Sequence, residues 1–143
     1  MLPKMSVTVA QVIVTHGDKV LLMRRSAKRN IGMWEFPCGK VDDDEIDILD
    51  AAARELREES GLSIDKRELV LYDTAPKESD MFPGTYYVCV STMIDKSKCH
   101  GVEKIMEPHM FDKMAWVSIE EVKDYPLAPM AAYGWAVLCH KVK

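Results

Sequence analysis

The sequence has no excess of basic residues and no long apolar run, and each absence argues against one class of partner. Its 143 residues include 19 Lys and Arg against 23 Asp and Glu, which gives a formal net charge of −4. A negative net charge does not favour binding to a nucleic-acid backbone. No apolar stretch approaches the length of a membrane span. We therefore expect neither nucleic acid nor a membrane as a partner.

Cysteine is also scarce, and its spacing excludes the common metal and disulfide patterns. The four cysteines show no Cys-x-x-Cys spacing and have no histidines at zinc-ligand spacing. They are typical of reduced thiols, which predicts a cytoplasmic protein. The pattern Gly-x-x-x-x-Gly-Lys is missing as well, which argues against a P-loop protein.

What the chain does have is a hydrophobic content of 48%, which is typical of a globular protein. We expect a single domain over residues 1–143. Strand-like and helix-like segments alternate, which predicts an α/β fold with helices packed on a mixed sheet. The predicted strands cover 7–15, 19–25, 34–36, 68–75, 85–94 and 114–117, with a loop around Pro83 and Gly84. The predicted helices cover 49–60 and 129–139, and a brief one follows Ser118 as its N-cap.

The most informative segment reads Arg-Glu-Leu-Arg-Glu-Glu-Ser-Gly-Leu at 54–62. In a helix, Glu55, Glu58 and Glu59 stand at i, i+3 and i+4 and share one face. Carboxylates so placed repel one another unless a cation lies between them, and they are the ligands that Mg²⁺ and Mn²⁺ prefer. An apolar stripe beside them predicts that the helix is buried along one side; it consists of Leu49, Ala52, Ala53 and Leu56. The alternative is a solvated charged helix face that binds no metal.

The stretch from Gly39 to Leu62 resembles the Nudix box. That pattern reads Gly, five residues, Glu, seven residues, then Arg-Glu-apolar-any-Glu-Glu-any-Gly-apolar. The second half is matched in full by Arg54, Glu55, Leu56, Glu58, Glu59, Gly61 and Leu62. The sequence departs from the pattern at three points: Cys38 replaces the first glycine of the usual Gly-Gly pair, Asp44 replaces the loop glycine before the first glutamate, and eight residues separate Glu45 from Arg54. We place the extra residue in the loop before the helix, which leaves open whether Glu45 or Asp44 fills the position of the first glutamate.

The resemblance implies a Nudix-type α/β/α sandwich and a hydrolase that uses Mg²⁺, with Mn²⁺ able to substitute. It implies that the metal ligands come from Gly39, Glu55, Glu58, Glu59 and an acid outside the box. It also implies catalytic roles for Glu55 and Glu58, with Arg54 orienting a glutamate. The candidates for the outside acid are Glu107 and Asp112, of which we prefer Glu107; the alternative for each is an ordinary surface acid.

Four residues are candidates for substrate binding. Arg24 ends a predicted strand in the basic cluster that also contains Arg25, Lys28 and Arg29, and Lys40 follows the turn glycine. Either cation could meet a phosphate, although a solvated hairpin end is the alternative for the cluster. Trp34 and Phe36 could stack on a base, although packing in the core is the alternative for both.

The run Gly-Met-Trp-Glu-Phe-Pro at 32–37 resembles MutT-type members of the family, which remove oxidised nucleoside triphosphates. The implied reaction converts a nucleoside triphosphate, including oxidised or non-standard ones, to a monophosphate and pyrophosphate. One alternative is another nucleoside diphosphate derivative, such as ADP-ribose or a nucleotide sugar; a compact chain without an N-terminal extension favours the triphosphate. A second alternative is a binding module without catalysis, against which the intact run at 54–59 argues. We expect a monomer or a homodimer.

Overall fold

A mixed β-sheet with a helix on each face organises the protein. The computed structural model describes residues 5–78 and 85–141. Within them the strands are β1 Met5–His16, β2 Lys19–Arg25, β3 Trp34–Glu35, β4 Cys38–Lys40, β5 Val70–Glu78, β6 Thr85–Asp95 and β7 Phe111–Ser118. The α-helices are α1 Ile48–Ser60 and α2 Pro129–Lys141, and 3₁₀ turns cover Lys66–Glu68, Lys96–Lys98 and Ile119–Asp124.

The sheet is mixed because β1 runs parallel to β6 and antiparallel to its other neighbours. The main order is β3-β2-β1-β6-β5, while β4 pairs with β1 and β7 pairs with β2. β1 and β2 pair only beside their turn, at Thr15↔Val20 and His16↔Lys19. Because the two strands part there, β4 can pair with β1 further along, where Ala10 faces Gly39. This pairing brings the Gly39 backbone into the middle of the sheet.

Strand alternation produces two apolar cores, one on each face. On one face, Val12 of β1 and Leu21 of β2 pack with Leu56 of α1. On the other face, Ile13 packs with Leu138 of α2. The two helices therefore lie on opposite faces, and the predicted α/β fold with a mixed sheet is confirmed.

Local capping fixes both ends of α1. The Asp47 side chain accepts a hydrogen bond of 2.9 Å from the Leu49 N–H, as an N-cap residue does. Gly61 has a φ of 76° and its N–H donates to the Arg57 carbonyl, which is the left-handed ending that glycine favours. The helix predicted over 49–60 is therefore confirmed to within one residue.

Other local predictions fail for identifiable reasons. Pro-Cys-Gly at 37–39 has the composition of a turn, so the sequence does not predict the strand β4 that the structure has at Cys38–Lys40. After Ser118 a brief 3₁₀ helix forms with Ser118 at its N-cap position, as predicted, but the Ser118 side chain makes no capping hydrogen bond, so the capping box expected with Glu121 is not formed. The predicted loop around Pro83 and Gly84 lies outside the described residues.

Candidate active site

The backbone of β4 lies directly against the Glu55 side chain of α1. A Cβ atom at position 39 would overlap the Glu55 carboxylate, so any residue other than glycine would require that carboxylate to move. The next turn of the helix makes a second contact with β4: Glu59 accepts a hydrogen bond of 2.8 Å from the Cys38 N–H. The Cys38–Lys40 strand therefore positions two of the three glutamates that the sequence singles out.

Glu59 is the most deeply buried acid of this group, with 3% of its surface exposed. Burial raises its pKa well above that of an ordinary glutamate, and the negative charges of Glu35 and Glu55 raise it further. The hydrogen bond from the Cys38 N–H opposes this shift but does not cancel it. Removal from water thus destabilises the ionised form, and a cation at this position would restabilise it.

Glu55 titrates near neutrality. Burial raises its pKa to about 7, Arg54 opposes the shift, and the charges of Glu58 and Glu107 add to it. A carboxylate with such a pKa can exchange a proton with water at physiological pH. The Glu58 side chain is more accessible to solvent, with 46% of its surface exposed at the border of the helix.

Arg54 connects the acids of the loop and the helix. It donates hydrogen bonds of 2.7 and 3.0 Å to the two carboxylate oxygens of Glu45. It also donates to Glu55 at 2.8 Å, to Glu58 at 3.1 Å and to the Lys40 carbonyl at 2.9 Å. The Glu45 carboxylate further accepts from the Asp42 N–H at 2.8 Å. Of Glu45 and Asp44, it is thus Glu45 that joins this network, and Asp42 of the same loop also lies 3.6 Å from the Arg54 guanidinium.

The two acids proposed outside the box differ in their surroundings. Asp112 pairs with Arg24 through hydrogen bonds of 2.7 and 2.9 Å, so each neutralises the other. Glu107 lies on a loop that contacts the end of α1, where the Met106 N–H donates to the Glu59 carbonyl at 3.2 Å. Its charge contributes, after burial and closer charges, to the raised pKa of Glu55 and Glu59. Of the two acids, Glu107 is the one whose charge contributes to these pKa shifts, whereas the Asp112 carboxylate pairs with Arg24.

The remaining substrate candidates divide between core and surface. Phe36 has no exposed surface and packs near Trp135, with ring centroids 6.1 Å apart. Trp34 is partly buried and meets the edge of Tyr125 at 5.2 Å. The Lys40 side chain is exposed beside the box. Burial of Phe36 favours the core alternative for that residue.

Sequence reasoning missed a buried ion pair beside Glu59. Arg25 donates to Glu35 at 3.0 Å, and their side chains are 5% and 7% exposed. The Arg25 guanidinium also lies 5.3 Å from the centre of the Phe111 ring. The charge of Glu35 is the second cause, after burial, of the raised pKa of Glu59. The alternation of buried and exposed residues along a strand could have predicted that Glu35 is buried, but no pattern in the sequence identifies Arg25 as its ion-pair partner.

The donor set fits a hard divalent cation, although the side chains have not already converged on one point. In the described parts of the chain, no three His, Cys, Asp or Glu residues are arranged to hold a metal ion. The fit instead rests on carboxylates whose pKa values are raised by burial first and by mutual repulsion second, and on the space left for Glu55 by the missing Cβ of Gly39. Oxygen ligands of this kind are those that Mg²⁺ and Mn²⁺ prefer.

Comparison with known proteins identifies the family. The family model described as NUDIX domain matches residues 4–138. The chain belongs to the Nudix family. It is 35% identical over 124 residues to CTP pyrophosphohydrolase of Escherichia coli K12, covering 86% of this chain and 84% of that protein. The prediction of a MutT-like Nudix hydrolase is therefore confirmed.

Solved Nudix structures share the fold. The MutT Nudix hydrolase of Burkholderia pseudomallei superposes with a TM-score of 0.82 at 20% identity, covering 94% of this chain and 99% of that one. The Nudix domain of NrtR from Shewanella oneidensis, solved with ADP ribose, gives a TM-score of 0.70 at 18% identity, covering 100% and 91%. No helix in the described residues is long and apolar enough to cross a membrane.

Proposed function

We propose that this Nudix hydrolase cleaves a nucleoside triphosphate to a monophosphate and pyrophosphate, using Mg²⁺ or Mn²⁺. The observation that carries the proposal is the pair of buried carboxylates, Glu55 and Glu59, held against the β4 backbone with raised pKa values. The 35% identity to a CTP pyrophosphohydrolase over most of both chains supports a triphosphate substrate.

The metal ligands would come from the Gly39 carbonyl, Glu55, Glu58, Glu59 and Glu107. The bound cation would neutralise charge on the phosphates and acidify the attacking water. Glu59 is the ligand held most firmly, because it is buried and bonded to the Cys38 N–H. Glu58 is more exposed and so more accessible to a substrate in solvent.

Glu55 serves as the base in this proposal. Water attacks the α- or β-phosphorus, the bridging P–O bond breaks with pyrophosphate as one product, and the proton passes to a Glu55 oxygen. The pKa of Glu55 is about 7 in the metal-free protein, and a bound cation would lower it and favour the ionised form that can accept a proton. Arg54 orients the carboxylate through its 2.8 Å hydrogen bond and is itself held by Glu45.

The exposure of each candidate side chain indicates whether it is accessible to a substrate. Lys40 has an exposed side chain next to Gly39 and is free to meet a phosphate. Arg24 could do so only by giving up its ion pair with Asp112. Trp34 is the better candidate for stacking on the base, since Phe36 is enclosed in the core.

The four free thiols support a cytoplasmic location, and we propose one domain over residues 1–143.

ADP-ribose is the second candidate substrate, because a Nudix domain of similar fold has been solved with ADP ribose. Both substrates contain the same phosphoanhydride linkage, so the box residues do not separate them. The three box glutamates argue against a binding module without catalysis, because such a module needs no metal ligands. Arg54 forms ion pairs with both Glu55 and Glu58, close to the buried Glu59.

A panel of substrates tests the proposal. CTP, the other nucleoside triphosphates, an oxidised purine triphosphate, ADP-ribose and a nucleotide sugar are incubated with Mg²⁺, and the products are separated by chromatography. We expect pyrophosphate and a monophosphate from at least one triphosphate, and no turnover with EDTA or in Glu58→Gln. Glu68→Gln is the matched control, since that glutamate lies on a surface turn. Turnover of ADP-ribose alone would contradict the triphosphate assignment.

A further inference from the structure

The loop at residues 99–110, here the Glu107 loop, closes the C-terminal end of α1. The last carbonyls of a helix have no partner within it. Here the Lys104 N–H donates to the Ser60 carbonyl at 3.0 Å, and the Met106 N–H donates to the Glu59 carbonyl at 3.2 Å. The residue after Met106 is Glu107, so its position depends on how this loop is held against the helix.

One side chain ties the loop to the elements on both sides of it. Glu103 Oε1 accepts hydrogen bonds from Trp116 Nε1 at 2.9 Å and from Lys96 Nζ at 3.1 Å. Lys96 precedes the loop and Trp116 follows it on β7. The Lys96 ammonium also lies 5.2 Å from the centre of the Trp116 ring. These three side chains are called the Glu103 clamp.

The clamp is more enclosed than a surface ion pair. The Glu103 side chain is 16% exposed, and its second oxygen, Oε2, is buried without a hydrogen-bond partner among the described residues. Burial opposes ionisation, but the hydrogen bond from Trp116 and the charge of Lys96 hold the pKa of Glu103 below that of an ordinary glutamate. The carboxylate is therefore charged at neutral pH and grips both donors with charge-assisted bonds.

We propose that Glu103 is a positioning residue, which with Trp116 and Lys96 fixes the Glu107 loop on the end of α1 and so sets where Glu107 stands relative to Glu55 and Glu59. The inference rests on the proposed function, in which Glu107 joins the metal site. Its distinctive consequence is that the effect of the clamp on metal binding depends on the Glu107 carboxylate.

A matched control lies on the same 3₁₀ turn. Lys98 pairs with Glu68 at 3.1 Å, and both side chains are about half exposed. This ion pair joins the turn to the segment before β5 and does not reach the Glu107 loop. Loss of the Lys98 pair should therefore leave metal binding unchanged, whereas loss of the Lys96 pair should not.

Mn²⁺ binding in the absence of nucleotide tests the position of Glu107 directly. It is measured as the loss of the free Mn²⁺ signal in electron paramagnetic resonance. We expect Glu103→Gln and Trp116→Phe to weaken Mn²⁺ binding about tenfold, the lower end of the effect of residues that orient metal ligands. Lys98→Met should bind as wild type does. Lys96→Met, at a partly exposed position, supplies the same test if Trp116→Phe unfolds. The Mg²⁺ concentration at half-maximal turnover should rise in parallel.

A double-mutant cycle then separates positioning from general damage. If the clamp acts through Glu107, adding Trp116→Phe to Glu107→Gln should cause no further loss of Mn²⁺ binding. Losses that multiply would overturn the inference, and so would unchanged binding in the clamp variants when Glu107→Gln alone weakens it. Unchanged binding in Glu107→Gln would overturn both the inference and the role of Glu107, while the substrate panel would still test hydrolysis independently.

Discussion

Arg54 donates two hydrogen bonds, of 2.7 and 3.0 Å, to the Glu45 carboxylate, although one more residue separates the two in this sequence than in the Nudix pattern. Both the helix, which starts after the Asp47 N-cap, and this pairing are intact despite the extra residue. Glu45 is therefore a hydrogen-bond partner of Arg54 in the structure.

The first prediction concerns this pair. Arg54→Lys should lower turnover by at least about tenfold, because a lysine cannot hold Glu45, Glu55 and the Lys40 carbonyl at once. Glu45→Gln should have a smaller effect, since Arg54 keeps its other partners. Steady-state kinetics at saturating Mg²⁺ measure both. A loss in Glu45→Gln as large as that in Glu58→Gln would mean that Glu45 acts directly on the metal or substrate.

The second prediction separates activity from stability at Glu59. Glu59→Gln should lower turnover by about two orders of magnitude, the scale of losing a key charge-stabilising group. The same variant should melt at a higher temperature than metal-free wild type, because glutamine avoids the free-energy cost of either burying the ionised carboxylate or protonating it, while its amide oxygen can still accept from the Cys38 N–H. Calorimetry and kinetics on one preparation test both halves. Near-normal turnover would remove Glu59 from the metal site.

The third prediction is a pH dependence with a defined sign. The pKa of Glu55 is raised from 4.5 in the unfolded chain to about 7 in the folded protein. Its protonation therefore stabilises the fold fully below about pH 4.5, and this contribution is lost as the pH rises through 7. Between pH 5.5 and pH 8 the melting temperature of the metal-free wild type should fall further than that of Glu55→Gln.

Mg²⁺ supplies the complementary measurement for Glu55. Ligand carboxylates must be deprotonated to bind a metal, so Mg²⁺ should raise the melting temperature more at pH 8 than at pH 5.5. Glu68→Gln should behave as wild type does in both series. Equal pH slopes for wild type and Glu55→Gln would show that the Glu55 carboxylate is not the buried, titrating group described above.

The fourth prediction separates the two aromatic residues that precede the box, Trp34 in β3 and Phe36 immediately after it. Phe36→Ala should destabilise the fold by about 3–5 kcal/mol, as expected for a large side chain removed from a core. Trp34→Ala should instead raise KM for the preferred nucleotide more than it lowers kcat, by roughly tenfold or more if one base stack is lost. A Trp34→Ala variant with a lower melting temperature and unchanged KM would place Trp34 in the core as well.

The sequence was most predictive where local spacing determines geometry. Helical periodicity alone placed Glu55, Glu58 and Glu59 on one face of α1, and the structure has them there. It could not show that Glu59 is buried while Glu58 is half exposed, since that depends on β4 pairing with β1 across distant chain segments. The partnership of Arg24 with Asp112 is equally nonlocal, as 88 residues separate them. Contacts of that kind follow from strand order, which no local pattern encodes.

The most direct test of the central claim is the fate of water during hydrolysis. The enzyme is incubated with Mg²⁺, its preferred nucleoside triphosphate and water labelled with heavy oxygen, and both products are analysed by mass spectrometry. Attack by one water at an internal phosphorus should give pyrophosphate and a monophosphate, with label in only one of them and none formed in EDTA. Orthophosphate and a nucleoside diphosphate would place the attack at the terminal phosphorus and contradict the account.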